Sequence, residues 1–151
     1  MAADALGAGR LIIERLKTKV PALASVKAGS AIIGAQVNDL ATILSMPAAV
    51  VYPDAPTYGE GPYDGAVQTE VQPWWVTVVV ESVTDPRPDQ STDDTANEAV
   101  TGVIRALLGW RPSSHHQSLR LVAREQPEYA TDWTQYPLLF ETAVILQGDP
   151  T

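Results

Sequence analysis

Apolar and polar positions alternate most regularly in Trp74-Trp-Val-Thr-Val-Val-Val-Glu81. On an extended strand Trp74, Val76, Val78 and Val80 share one face, and Trp75, Thr77, Val79 and Glu81 share the other. One face is wholly apolar and the other mixed, the pattern of a sheet covered on one side. After a polar linker at 85–93 the period changes. Ala96, Val100, Val103, Ile104, Leu107 and Leu108 recur at three- and four-residue spacing, with Asp93, Asp94, Asn97, Glu98 and Thr101 facing water. Ser91 or Thr92 can cap this helix, Asp93 and Asp94 complement its positive end, and Arg105 and Gly109 mark its close.

The same reading places a first helix at 3–20, with Leu6, Ile12, Ile13, Leu16 and Val20 as its apolar stripe, closed by Pro21. Gly7 and Gly9 weaken its first turns, so its firm part starts near Gly9. Residues 22–33 predict a short strand around Val26, Ile32 and Ile33. Asn38 caps a second helix over 39–45, and Ala48-Ala-Val-Val-Tyr52 reads as a buried strand stopped by Pro53. At 118–124, Leu119, Leu121 and Ala123 point one way while Ser118, Arg120, Val122 and Arg124 point the other. A turn-rich connector at 126–135 holds Tyr129 and Trp133. A closing strand at 138–147 directs Leu138, Phe140, Val144 and Leu146 to the core. The fold class is therefore α+β: one domain with a mixed, largely antiparallel sheet and helices packed on one face.

Residues 54–72 form the longest stretch of low hydrophobicity, with turn formers Pro56, Gly59, Gly61, Pro62 and Gly65. Loops of this length in a compact domain are either functional or disordered. It is expected to be a protruding loop or arm, and contact with a neighbouring molecule and a plain surface loop both stand as readings.

Composition narrows the chemistry. The chain has 151 residues, 45% hydrophobic and 19% charged, enough for one domain with a substantial core. It has no cysteine, which removes disulfides, thiolate metal sites and cysteine nucleophiles. No apolar run reaches the roughly 18 residues that span a bilayer, and residues 1–10 lack a secretory pattern, so a cytoplasmic site of synthesis is expected. Charge is uneven within the net −8: residues 1–27 carry five basic and two acidic side chains, and residues 28–104 carry Arg87 alone against eleven acidic ones. An acidic centre does not grip a phosphate backbone. It is equally a solubilising surface.

Candidate catalytic groups are sparse. Adjacent His115 and His116 diverge on either a strand or a helix, so they do not share a metal. Ser113, His116 and Asp132 can be written as a triad, but no nucleophile elbow or oxyanion donor accompanies them. Asp93 and Asp94 are explained by helix capping. No phosphate-cradling loop occurs. Nothing points to an enzyme. The aromatic residues are better suited to association: Tyr58, Tyr63, Tyr129 and Trp133 fall on predicted loops, Trp74 and Trp75 cannot both face one core, and Trp110 stands beside Arg111. Aromatic and Arg side chains are enriched in interface cores. With Trp110 and one of the adjacent tryptophans assigned to the domain's own core, the candidate interface set is Tyr58, Tyr63, Trp75, Arg111, Tyr129 and Trp133.

The order of local patterns resembles a family. A helix ending Glu14-Arg-Leu-Lys-Thr-Lys-Val-Pro21 precedes Pro47-Ala-Ala-Val-Val-Tyr-Pro53. The aromatic-led valine strand at 74–81 precedes a helix ending Ile104-Arg-Ala-Leu-Leu-Gly-Trp110, and Trp133-Thr-Gln-Tyr-Pro-Leu-Leu-Phe-Glu-Thr142 closes the series. Together these resemble the tail terminator, or tail completion, proteins of long-tailed bacteriophages. The resemblance implies a structural virion protein of the tail and neck, assembled in the host cytoplasm. It implies a homo-oligomer, a hexameric ring on the last tail-tube subunits that stops tube polymerisation and meets a head-side connector. It implies no cofactor and no active site. DNA would pass through without specific binding, and no membrane is involved. The acidic candidates for the lumen are Asp54, Glu60, Asp64, Glu70, Asp85 and Asp89. Other readings are a different neck or connector subunit, a small hydrolase built on His116, and a monomeric binding module using the 54–72 loop.

Overall fold

The computed structural model describes residues 5–29, 45–59, 65–82 and 91–149. Among them the element order is α1 (Gly7–Lys19), β1 (Ser25–Ala28), β2 (Ala48–Pro53), β3 (Thr57–Tyr58), β4 (Val67–Glu81), α2 (Thr92–Leu107), β5 (Arg120–Arg124), β6 (Glu128–Tyr129) and β7 (Trp133–Gln147). The strands form one sheet in the order β1-β2-β4-β7-β5, with β3 added to β4 and β6 added to β7. Only β1 and β2 run parallel; the other pairs are antiparallel. The expected helix over 39–45, with Ile32, Ile33 and Asn38, lies outside the described residues.

The spine is a ribbon of β4 and β7, each 15 residues long. They pair without interruption from Val67 opposite Gln147 to Glu81 opposite Trp133. At about 3.3 Å per residue the ribbon runs roughly 50 Å, well beyond ordinary strands of about 3–10 residues. Both strands start earlier than their hydrophobic patterns predict. Val67–Pro73 lacks an apolar face of its own, and Trp133–Gln135 reads as the end of a connector; cross-strand pairing makes both extended.

Both helices lie on the face of Trp74, Val76, Val78 and Val80, as the alternation predicts. Ala8, Ile12 and Leu16 from α1 and Ala96, Ala99, Val100, Val103, Ala106 and Leu107 from α2 join Ala49, Val51, Tyr136, Leu138 and Phe140 in one core. The architecture is α+β. α2 begins with a capping box: Ser91 Oγ accepts from Asp94 N at 3.1 Å, and Asp94 Oδ2 accepts from Ser91 N at 3.2 Å. It ends at Leu107. Leu108 is extended and exposed, and Gly109 takes a left-handed φ of 77° that a side chain would disfavour. Leu108 is therefore not a core residue. Neither is Leu6, which precedes the first helical turn and is 68% exposed.

Gly9 has a packing reason that helix propensity hides. A Cβ there would lie 2.6 Å from Cζ3 of the buried Trp74, so glycine lets α1 settle directly on the indole. Arg15 then ties α1 to the end of α2: its Nε donates to Ala106 O at 3.0 Å, and its guanidinium stacks 5.2 Å from the centre of the Trp110 ring.

Two expectations about sheet faces change. The face opposite the helices is not simply solvated, because Ala48, Val50, Val79 and Trp133 form a second buried cluster there. In β5 the register shifts between Leu121 and Ala123, so Leu121 stands opposite Phe140, Ala123 opposite Leu139 and Arg124 opposite Leu138. One extra residue ends the simple alternation. Ala123 turns away from the helices and Arg124 turns toward them.

Candidate functional site

The hydrolase reading requires Ser113, His116 and Asp132 to converge, and they do not. Ser113 Oγ lies 2.6 Å from His116 Nδ1, but the other ring nitrogen is buried with no hydrogen-bond partner. His116 bridges to Val144, whereas Asp132 adjoins Trp133 at the opposite end of β7. Eleven strand residues separate those two points, about 36 Å. Burial, and secondarily His115, push the His116 imidazole below its usual value, as expected for an enclosed base with no acidic partner. His115 is exposed, so the two histidines part as predicted. No group of three or more His, Asp or Glu side chains able to hold a metal occurs among the described residues.

The candidate interface residues occupy separate parts of the surface. Tyr58, on β3, is 55% exposed and stands opposite Glu70, whose carboxylate accepts its hydroxyl and holds the phenol above its usual pKa. Tyr129, on β6, is also exposed; its hydroxyl donates to Asp93 Oδ1 at 2.8 Å and pairs with the first turn of α2. Tyr136 donates to the same carboxylate oxygen at 2.5 Å. Tyr129 sits opposite Thr134, while Glu70 sits opposite Val144, so the two tyrosines mark opposite ends of the ribbon. Trp75 is half-buried on the face away from the helices, and its Nε1 donates to Asp54 Oδ2 at 3.1 Å. Arg111 is exposed in the turn after α2. Tyr63 lies outside the described residues.

Trp133 is the exception in this set. It is only 3% exposed and belongs to the second buried cluster with Ala48, Val50 and Val79. The residue opens β7 opposite Glu81 instead of lying in a loop, so its ring packs within the subunit and offers no partner surface.

Among the acidic candidates, Asp54 is exposed and Glu70 is not. Glu70 is 5% exposed on the helix-side face of the ribbon, where its Oε1 accepts from Gln72 Nε2 at 2.6 Å. A carboxylate enclosed by Tyr58 and Gln72 does not face an open channel in this subunit. Alternation assigns Glu70 to that face; only the pairing of β3 on β4 places Tyr58 over it. Glu60, Asp64, Asp85 and Asp89 lie outside the described residues.

One surface feature has no counterpart in the sequence reading. α1 and the end of β2 enclose an open groove of about 560 Å³, lined by Leu6, Gly9, Ile13, Tyr52 and Trp74 with Arg10, Glu14 and Lys17 on its rim.

The helices among the described residues include none long and apolar enough to cross a membrane. No curated protein matches the chain at a significant level. The sequence pattern of the family described as phage tail terminator protein does match, over residues 1–150. With an α+β subunit, two chemically different ribbon ends and no assembled catalytic triad already in view, that match across nearly the whole length places the chain in the phage tail terminator family.

Proposed function

We propose that this chain closes the head-proximal end of a phage tail tube as a ring of six copies, stops tube polymerisation, and presents the surface to which the head-side connector binds. The family match over residues 1–150 carries the reading. Membership makes the protein a structural component of the virion, and implies a tail-tube partner and a head-side partner. The family is a structural one, not an enzyme family, and the separation of His116 from Asp132 is in keeping with that.

Ring closure needs two different complementary surfaces on one subunit, arranged head to tail. Tyr58 at one end of the ribbon and Tyr129 with Arg111 elsewhere are the exposed candidates for such contacts, with Trp75 half-covered behind Asp54. Of the 54–72 stretch, Val67–Gln72 belongs to β4, and the remainder is proposed as the arm of a single domain. Its charge, with Asp54, Glu60 and Asp64 and no Lys or Arg, supports a lumen that lets DNA slide through, since like charge opposes phosphate binding. Assembly takes place in the host cytoplasm, before head and tail are joined.

Electron microscopy of particles made without this protein tests the reading. Overlong tubes, or heads and tails left unjoined, are expected. Tails of normal, uniform length joined to heads would exclude it.

A further inference from the structure

A buried polar atom without a hydrogen-bond partner calls for a physical explanation, and His116 Nε2 is such an atom. The contacts around the ring assign its tautomer. Ser113 Oγ accepts from the His115 backbone N–H at 3.1 Å, which leaves its own hydrogen to donate to His116 Nδ1, 2.6 Å away. Burial keeps the imidazole neutral, and a neutral ring that accepts at Nδ1 carries its hydrogen on Nε2. His116 therefore holds an N–H donor with no acceptor.

The same residue lines a pocket of about 260 Å³ at the polar end of the ribbon. His116 and Val144, 4% and 2% exposed, are its buried part. Arg111, Ser114, His115 and the 56% exposed Ile145 are among the residues around them. The described lining includes no Asp or Glu. Glu70 stands opposite Val144 on β4, but its carboxylate is already held by Gln72 and Tyr58. Arg111 is exposed, and neither ion pair among the described residues uses it. A free guanidinium, a buried N–H without an acceptor and an apolar wall thus share one pocket, in a chain of net charge −8.

This set of groups suits one particular ligand chemistry. A guanidinium fork pairs a carboxylate with two parallel hydrogen bonds, and an imidazole N–H adds a third donor. Ile145 offers apolar contact to the stem that carries such a group. A nucleic-acid backbone calls instead for clustered cations, and a single Arg in an acidic chain does not supply them.

We propose that the pocket formed by Arg111, His116 and Ile145 receives the carboxylate of an acidic side chain from the virion protein that this end of the ribbon meets. Arg111 pairs the charge, the His116 N–H donates from within, and Ile145 packs against the stem. The source of the carboxylate rests on the function proposed above; the pocket's preference for that group does not.

Isobutyrate, a carboxylate on a short apolar stem, is the probe. Titration of the whole chain at constant ionic strength and neutral pH is followed by NMR at the His116 ring and the Arg111 side chain. Both signals are expected to shift saturably. Arg111→Gln, at an exposed position, is expected to weaken binding about tenfold, the equivalent of one charge-assisted hydrogen bond. Arg105→Gln, on α2 and equally exposed, is expected to leave it unchanged. No saturable shift, unaltered affinity in Arg111→Gln, or inorganic phosphate binding at least as tightly would overturn the site. In assembled particles, Arg111→Glu sets like charge against the incoming carboxylate. It is expected to reduce the share of tails that carry the protein and join heads, and by more than Arg111→Gln. Parental joining and tail length with Arg111→Glu would overturn a partner side chain as the occupant, whatever isobutyrate does. The function reading survives either failure, since it is read from particles that lack the protein altogether.

Discussion

The two halves of the β4–β7 ribbon share one ladder and differ in everything laid upon it. From Trp74 to Val80, and from Tyr136 to Phe140, the helix-side residues are buried under α1 and α2 in the main core. From Val67 to Pro73, and from Glu141 to Gln147, that face holds the buried polar residues Glu70, Gln72 and Thr142 together with the buried Val144, and Gln72 donates to Glu70. Gln72 Nε2 also donates to Ala5 O at 3.0 Å, and Thr142 Oγ1 donates to Gln117 O at 2.6 Å. Stability in the first half comes from apolar burial, which is roughly proportional to area and tolerant of detail. In the second half the buried Val144 stands among polar groups that are only partly paired, since Gln72 Oε1 and His116 Nε2 have no hydrogen-bond partner, and such groups contribute modestly at best to net stability. A half with modest intrinsic stability and the exposed Tyr58 is the natural place for contacts with other molecules.

Substitutions graded along the ribbon test this contrast. The largest effect is expected from Phe140→Ala, which empties a fully buried position against Trp74 and should cost about 3–5 kcal/mol in denaturant unfolding. A loss under about 1 kcal/mol would mean that the helix-covered half is no better packed than the other. Gly9→Ala comes next and its sign is diagnostic. In a free helix the change stabilises by about 1 kcal/mol. Here the added methyl meets Trp74, so a destabilisation of about 1–3 kcal/mol is expected from the forced shift. A raised melting temperature would show that the indole moves aside freely.

Ser91→Ala removes the cap on α2 and is expected to cost about 1 kcal/mol, a loss confined to the covered half. If Thr92→Ala is equally costly, the capping assignment is wrong. In the polar half, burial depresses the His116 pKa, so the folded protein resists a proton that the unfolded chain accepts. Its contribution is complete above the unfolded value of about 6.5 and is lost as the pH falls through that value toward the lower folded one. Urea midpoints at about pH 7.5 and about pH 5.5 should therefore differ, and the difference should shrink in His116→Gln. An unchanged difference would assign the acid sensitivity to another group. The smallest effect is expected from Tyr58→Ala, within about 0.5 kcal/mol of the parent, because the side chain is exposed. A large loss there would make Tyr58 part of the fold and weaken its role as a contact residue.

Much of the covered half is legible in sequence. The alternation from Trp74 to Glu81 assigns the core face of β4 correctly, and the signals around Ser91, Asp94, Arg105 and Gly109 bound α2 to within a residue or so. These are short-range properties, written within a few positions of where they act. The polar half was harder to read. Gln68, Thr69, Glu70 and Gln72 give no one-sided apolar pattern, so nothing local distinguishes a strand from a loop there. The candidate contact residues differ for the same reason: loop placement alone implies exposure, whereas Trp133 lies in a strand with its ring enclosed.

By itself, then, the sequence determined the α+β class, the faces of its clearest strand and helix, the absence of thiol chemistry and the acidic bias of the middle of the chain. Tertiary structure alone decided the length of the β4–β7 ribbon, the burial of Glu70 and Trp133, the exposure of Leu6 and Leu108, and the groove beside Gly9. The division follows the range of the interactions. Periodicity and capping are properties of neighbours in the chain, whereas pairing register, enclosure and concavity arise between segments tens of residues apart, whose meeting no single segment encodes.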